Sequence, residues 1–233
     1  YDKAKQVFDK IIETERPNLE NNRRLHDGNT AETVPFINQN RYRAFELTPY
    51  NKTLLIDSDY LVFTDSLNEY FKIDQSILIG ESILDIFSDQ RTGYLDKNIS
   101  DVSVKMLWAT TCLFTKNKES KMFFDLVKSI YENYSIFAHL FRFENRQYRN
   151  DIAFSVADHI MSNFSDSNKY RLPPVLSSLD RDMVYDCSVD GAKLLVDRNL
   201  SGEYFLSSVK NCNLHIMNKK NLVNFYPNMV EKL

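Results

Sequence analysis

Asp57 and Asp59 stand one residue apart at the end of an apolar run, within the stretch TLLIDSDYLVFTDSL. On a β-strand successive side chains alternate faces, so this spacing puts both carboxylates on one side and Ser58 on the other. Two carboxylates in one small volume repel each other, and burial raises a pKa, unless a cation sits between or beside them. The pair therefore points to a bound divalent cation, or to a reaction that uses both acids. An isolated Asp-Xaa-Asp carries less, because aspartates also cap strand ends and turns.

Four histidines, His26, His139, His159 and His215, are the whole imidazole supply. His215 follows a short alternating apolar run in KNCNLHIMNKKN, with Lys219 and Lys220 just behind it. Asn150 and Asp151 open the apolar-periodic run NDIAFSVADHI, where an Asn-Asp pair is also an ordinary helix start. Arg142, Arg146 and Arg149 form a short basic stripe. Its plain reading is a solvated face, and its sharper one a contact to phosphate or acceptor, nucleic acid included.

These residues need elements to position them. YDKAKQVFDKIIETE places Val7, Phe8, Ile11 and Ile12 at helical spacing and stops before Pro17, which predicts an amphipathic helix. Residues 16–36 read as a long polar loop with at most one short element. NQNRYRAFELTPY reads as a helix ended by Pro49, which delivers the chain into the strand KTLLI. QSILIGES and KMLWATTCLFTK read as strands, ESKMFFDLVKSIYENYSIFAHLF as one long helix or two, and NDIAFSVADHIMSNF as a helix. Short strands are expected at VYDCSV, GAKLLV, YFLSSV and CNLHIM. Helix, tight turn, buried strand and then acids at the strand's C-terminal end is α/β grammar, in which ligands sit beyond the carboxyl ends of strands. The aromatics at Phe123–Phe124 and from Phe137 to Phe143 are expected in the core.

At 233 residues, 43% hydrophobic and 13% aromatic, the chain can bury a sizeable core as one domain. A net charge of -3 with interspersed signs argues against a dedicated polyanion binder. Cys112, Cys187 and Cys212 are odd in number and widely spaced, fitting neither a disulfide framework nor a zinc pattern, so a reducing, cytoplasmic setting is expected. No run reaches the ~18 apolar residues of a membrane span. Five glycines form neither G-x-G-x-x-G nor a P-loop.

The segment RYRAFELTPYNKTLLIDSDYLV carries a resemblance. It is similar to the GT-A nucleotide-sugar glycosyltransferases, in particular the glycogenin family, glycosyltransferase family eight. The shared order is a basic residue on a helix, a Leu-Thr-x-Tyr-x-Lys turn, an apolar strand, an Asp-x-Asp pair and Leu-Val. Here these are Arg41, Leu47 to Lys52, the strand into Asp57 and Asp59, and Leu61-Val62. The resemblance implies a single catalytic domain over 1–233, with the donor and metal half at about 1–110 and the acceptor half at about 111–233. It implies a Rossmann-like mixed sheet flanked by helices. It also implies that Asp57 and Asp59 hold Mn2+, or Mg2+, and through it the diphosphate of a nucleotide-sugar donor, with His215 as the third ligand. Arg41, or its neighbour Arg43, would clamp phosphate or sugar oxygens, and Ser58, Lys219 and Lys220 complete the donor-binding set. Asp151 would bind sugar hydroxyls or act as a general base. Retention of anomeric configuration is the family expectation.

The chain departs from the pattern in three places. Ala109, Thr110 and Thr111 replace the usual small-residue motif, the late Gly and Lys-Pro-Trp are missing, and the first nucleotide-binding strand is apparently absent. The acceptor, whether glycan, protein, small molecule or nucleic acid, is not specified by these residues. Two rival readings stand beside the transferase. One is a haloacid-dehalogenase-like phosphatase with Asp57 as nucleophile and Asp59 as acid/base. The other is a non-catalytic sugar-nucleotide-binding module.

Overall fold

A computed structural model describes residues 5–6, 8–15, 21–26, 31–87, 97–101, 104–144, 146–165, 170–197 and 202–225. It is a mixed α/β molecule built around strand β7 (Trp108–Thr115). β7 lies between β3 (Lys52–Ile56) and β5 (Ile77–Gly80), antiparallel to both. Residues Trp108 to Phe114 are all buried, the pattern of a strand covered on both faces. Because β7 runs across residue 110, the two expected halves of the chain share one sheet.

One face of β7 is covered by helices α2 (Lys118–Glu132) and α4 (Asn150–Met161). The Asn117 side chain caps α2 by accepting from Ser120 N at 2.9 Å, so the helix starts where the strand's last residues end. Phe123, Phe124, Val127, Ile130 and Tyr131 recur at helical spacing and are buried. Phe124 meets Phe114 edge-on at 4.8 Å, and Phe123 meets Phe154 of α4 edge-on at 5.3 Å. Of the two readings, one long helix or two, the structure has two: the first breaks at Asn133, and α3 (Tyr134–Leu140) follows. On the other face Leu113 joins Leu78 and Leu172 in a smaller apolar cluster.

Beyond β5 the sheet continues as short, partly parallel pieces. Leu172 bridges Gly80 in parallel, and β6 (Ile83–Leu84) pairs in parallel with β8 (Val175–Leu176). Ser177 then bridges His215, and β12 (Leu214–His215) pairs antiparallel with β4 (Tyr60–Leu61). This run matters because it places β12, the last strand among the described residues, beside the acids that follow β3. A meander of β9 (Met183–Ser188), β10 (Gly191–Val196) and β11 (Phe205–Lys210) packs its own cluster, with Val184, Leu194, Val196 and Ile216 among its buried members.

The N-terminal helix is seen only at residues 5–6 among the described residues. Residues 8–15 are not helical, and Phe8 and Ile12 are exposed; residues 1–4 and 7 lie outside the described set. An isolated helix of about a dozen residues is marginal in water, and Phe8 and Ile12 lie open to solvent. The polar stretch expected to be a loop instead holds a hairpin, β1 (Asn22–His26) against β2 (Ala31–Pro35). Its base is closed by Phe36 N donating to Asn21 O at 2.7 Å and is anchored by Asn21 Nδ2 donating to Tyr148 O at 2.8 Å. It pairs with no strand of the central sheet. Among the described residues no helix is long and apolar enough to cross a membrane, and all three cysteines are free.

Candidate metal centre

β3 ends at Ile56, one residue before the first acid. Asp57 to Tyr60 form a turn, with Tyr60 N donating to Asp57 O at 3.1 Å. The expected strand alternation is therefore corrected: the two carboxylates converge through a turn, and Ser58 is exposed at its tip. Asp57 N donates to Thr110 O at 3.1 Å, and Asp59 O accepts from Ile216 N at 2.9 Å. The turn is pinned on one side to the central strand and on the other to the residue that follows His215.

His215 enters from β12, where its register partner is Tyr60. One ligand atom from each of Asp57, Asp59 and His215 lies within 4.8 Å of the others. His215 Nε2 is 3.3 Å from Asp59 Oδ1 and 3.8 Å from Asp57 Oδ2. The other ring nitrogen, Nδ1, is 3.3 Å from Ser177 Oγ. Ser177 Oγ spends its only proton on Ser178 O at 3.0 Å, so it accepts from Nδ1–H. That tautomer turns the Nε2 lone pair toward the acids. Asp59 Oδ1 and His215 Nε2 are buried without a hydrogen-bond partner, while Asp59 Oδ2 is met by Lys219. Oxygen and imidazole donors left unsatisfied and aimed at one point are the set a divalent cation completes.

Two cations flank the acids. Arg41, buried on the turn Arg41–Arg43 before α1 (Ala44–Leu47), pairs with Asp57 Oδ1 through Nη2 and donates to Ala109 O through Nη1. Lys219, the first residue of α5 (Lys219–Val223), pairs with Asp59 Oδ2. Burial by itself would raise the Asp59 carboxyl, but His215, when a proton on Nε2 faces the acid, and the Lys219 ammonium outweigh it and hold the carboxyl well below the usual range; a cation on the acids takes the place of that proton.

The remaining sequence candidates are placed differently. Lys220 pairs with Glu32 of the hairpin at 2.8 Å. Arg43 closes the same turn as Arg41 and follows Tyr42, whose ring packs on Tyr131 of α2 at 5.3 Å. Asp151 has both oxygens engaged: Oδ1 accepts from Ala109 N at 2.9 Å and Oδ2 from Arg149 Nη2 at 2.8 Å. It thereby fixes the start of β7, from which Ala109 O holds Arg41 and Thr110 O holds Asp57. The basic stripe divides, with Arg142 near Asp101 at 3.4 Å, Arg146 donating to Asn98 O at 3.5 Å, and Arg149 turned to Asp151.

Sequence reasoning missed Arg23. This half-buried residue of β1 feels both Asp59 and Asp57, and no signal in its polar surroundings marks it. Comparison of the chain with models of known protein families, with curated proteins and with solved structures found no match.

Proposed function

We propose that this protein is a metal-dependent glycosyltransferase of the GT-A type, moving a sugar from a nucleoside-diphosphate donor to an acceptor. The observation that carries the reading is the convergence of Asp57, Asp59 and a late-strand His215 beyond the end of β3. Those are the residues that the extended resemblance around the Asp-x-Asp pair implies.

Mn2+, or Mg2+, would be held by the two carboxylates and His215 Nε2. Bound there, it supplies charge stabilisation to the departing diphosphate. The chain's own groups do the rest. Arg41 orients Asp57 and ties it to β7, and Ser177 sets the His215 tautomer. Lys219 pairs with Asp59 and would share in neutralising phosphate charge at the site. Asp151 holds the frame of the site through Ala109 N–H. A glycan, protein or small-molecule acceptor suits the net charge of -3 better than a nucleic acid does.

A phosphatase-type role for Asp57 needs a carboxylate oxygen free to attack phosphorus. Here Oδ1 is held by Arg41 and Oδ2 faces the imidazole, which favours a ligand over a nucleophile. The test is thermal stability in the presence of a nucleoside diphosphate with and without Mn2+. The melting temperature rises by more with both than the rises with either alone add up to, and Asp59→Asn abolishes that extra rise. An extra rise that survives in the variant overturns the reading.

A further inference from the structure

We propose that Arg23 and Arg149 form an anion-holding pair at the rim of the acidic centre and take the diphosphate of the substrate. This deepens the transferase reading and rests on it for the identity of the anion.

Three observations place the pair. First, Asn21 Nδ2 donates to Tyr148 O at 2.8 Å, which lays the start of the hairpin against the residue before Arg149. Side chains two apart along an extended chain share a face, so Arg23 leaves the backbone on the side of Asn21, toward Arg149. Second, both guanidiniums rest on aromatic rings: Arg23 lies 5.9 Å from the centroid of Phe36 and Arg149 5.9 Å from that of Trp108. Trp108 is followed in β7 by Ala109 and Thr110, whose carbonyls hold Arg41 and Asp57. Third, the hairpin is fastened on the opposite side by Lys220 to Glu32, so it spans from the approach to α4 to the start of α5, next to Lys219. The charge of Arg23 is sensed together with those of Asp59, Arg149 and Asp57.

Charge accounting says what such a pair is for. Asp57 and Asp59 are already matched one for one by Arg41 and Lys219, and Arg149 is matched by Asp151. Among the described residues Arg23 has no carboxylate partner at ion-pair distance. It is surplus positive charge, half-buried between a like-charged neighbour and acids that are already paired, and it loses the balance of those acids once a cation occupies them. A divalent cation on the acids deepens the shortage of negative charge. A diphosphate, with oxygens enough to meet a metal and two planar guanidiniums, answers it.

The experiment is calorimetric titration of the whole chain with inorganic pyrophosphate, with and without Mn2+, and with Mn2+ alone. Wild-type protein binds pyrophosphate, Arg23→Gln weakens that binding tenfold or more, and Arg23→Lys recovers part of it, while affinity for Mn2+ alone does not fall in either. Arg149→Gln gives a second weakened variant. Equal pyrophosphate affinity in wild type and Arg23→Gln, or no binding in wild type under either condition, overturns the proposal. Pyrophosphate binding that depends on Arg23 in a protein that takes up no Mn2+ upholds the pair and sinks the metal reading instead.

Discussion

His215 Nε2 lies 3.3 Å from Asp59 Oδ1, and the pairing of β12 with β4 holds it there. Two short strands from distant parts of the chain exist side by side so that an imidazole can face two acids. His215→Ala removes the nitrogen donor but neither carboxylate. The expected outcome is a loss of Mn2+ affinity of about 100-fold or more by calorimetry, since even groups that only support a ligand cost 10–100-fold. Unchanged affinity would mean that the imidazole is an ordinary buried partner of Ser177.

Arg41 is a buried cation with two fixed partners, Asp57 and the carbonyl of Ala109. Arg41→Ala leaves the carboxylate and the carbonyl facing each other in the interior. Breaking a buried pair from one side costs roughly 3–5 kcal/mol. In a chain of this size that lowers the melting temperature by about 10 °C. Added Mn2+ restores part of the loss, because a cation on Asp57 replaces the missing charge. A variant that melts like wild type would show that the pair contributes nothing.

The local elements were legible where burial agrees with sequence period. KTLLI, the run through Trp108, and the helical spacing of Phe123, Val127 and Ile130 all report faces that are covered in the fold. The N-terminal stripe of Phe8 and Ile12 has the same spacing but lies open to solvent, and periodicity cannot register that exposure. Asp57, Asp59 and His215 were readable as residue types, but the turn that aims the acids depends on hydrogen bonds to Thr110 and Ile216. Arg23 was illegible, because its surroundings are made by a hairpin docked on Tyr148, 127 residues from its anchor Asn21.

Asp182 gives a pH dependence with a definite sign. Burial first, then the charges of Asp85 and Asp180, push its carboxyl from the ordinary 3.8 to about 6, against the hydrogen bond from Leu179 N and the charge of Arg181. The folded protein therefore keeps a proton here that the unfolded chain releases between pH 4 and 6. The stability this confers is full below pH 4 and is lost as pH rises through 6, by up to about 3 kcal/mol. Asp182→Asn removes the dependence. Urea midpoints of wild type and variant measured at pH 4 and pH 7.5 check it, and a wild-type-minus-variant difference that does not fall with pH refutes it.

Gly80 sits where β5 shifts register against β7, with no room for a side chain. A Cβ at this position would lie 2.7 Å from Trp108 O and 2.9 Å from Thr111 Oγ1. The first contact is backbone and cannot swing away, so Gly80→Ala must displace the start of β7. Overpacking of this kind costs about 1–3 kcal/mol. Because that segment carries Ala109 and Thr110, Mn2+ affinity falls along with stability. Loss of stability alone, with affinity intact, would mean that the strain relaxes toward β6 and away from the site.

Asn213 sets the register on which His215 depends. Its Oδ1 accepts from Phe63 N at 2.8 Å and Thr64 N at 2.9 Å, and its Nδ2 donates to Ser66 Oγ at 3.1 Å. One side chain thus clips the approach to β12 onto the chain leaving β4. Asn213→Ala strands two backbone N–H groups and costs about 2 kcal/mol or more. The clip, though not a ligand, holds the imidazole opposite Tyr60, so Mn2+ affinity drops about tenfold as well. Asn213→Asp keeps the acceptor and recovers most of both losses. Such recovery separates a register role from simple loss of packing, which the aspartate would not cure if the clip were irrelevant.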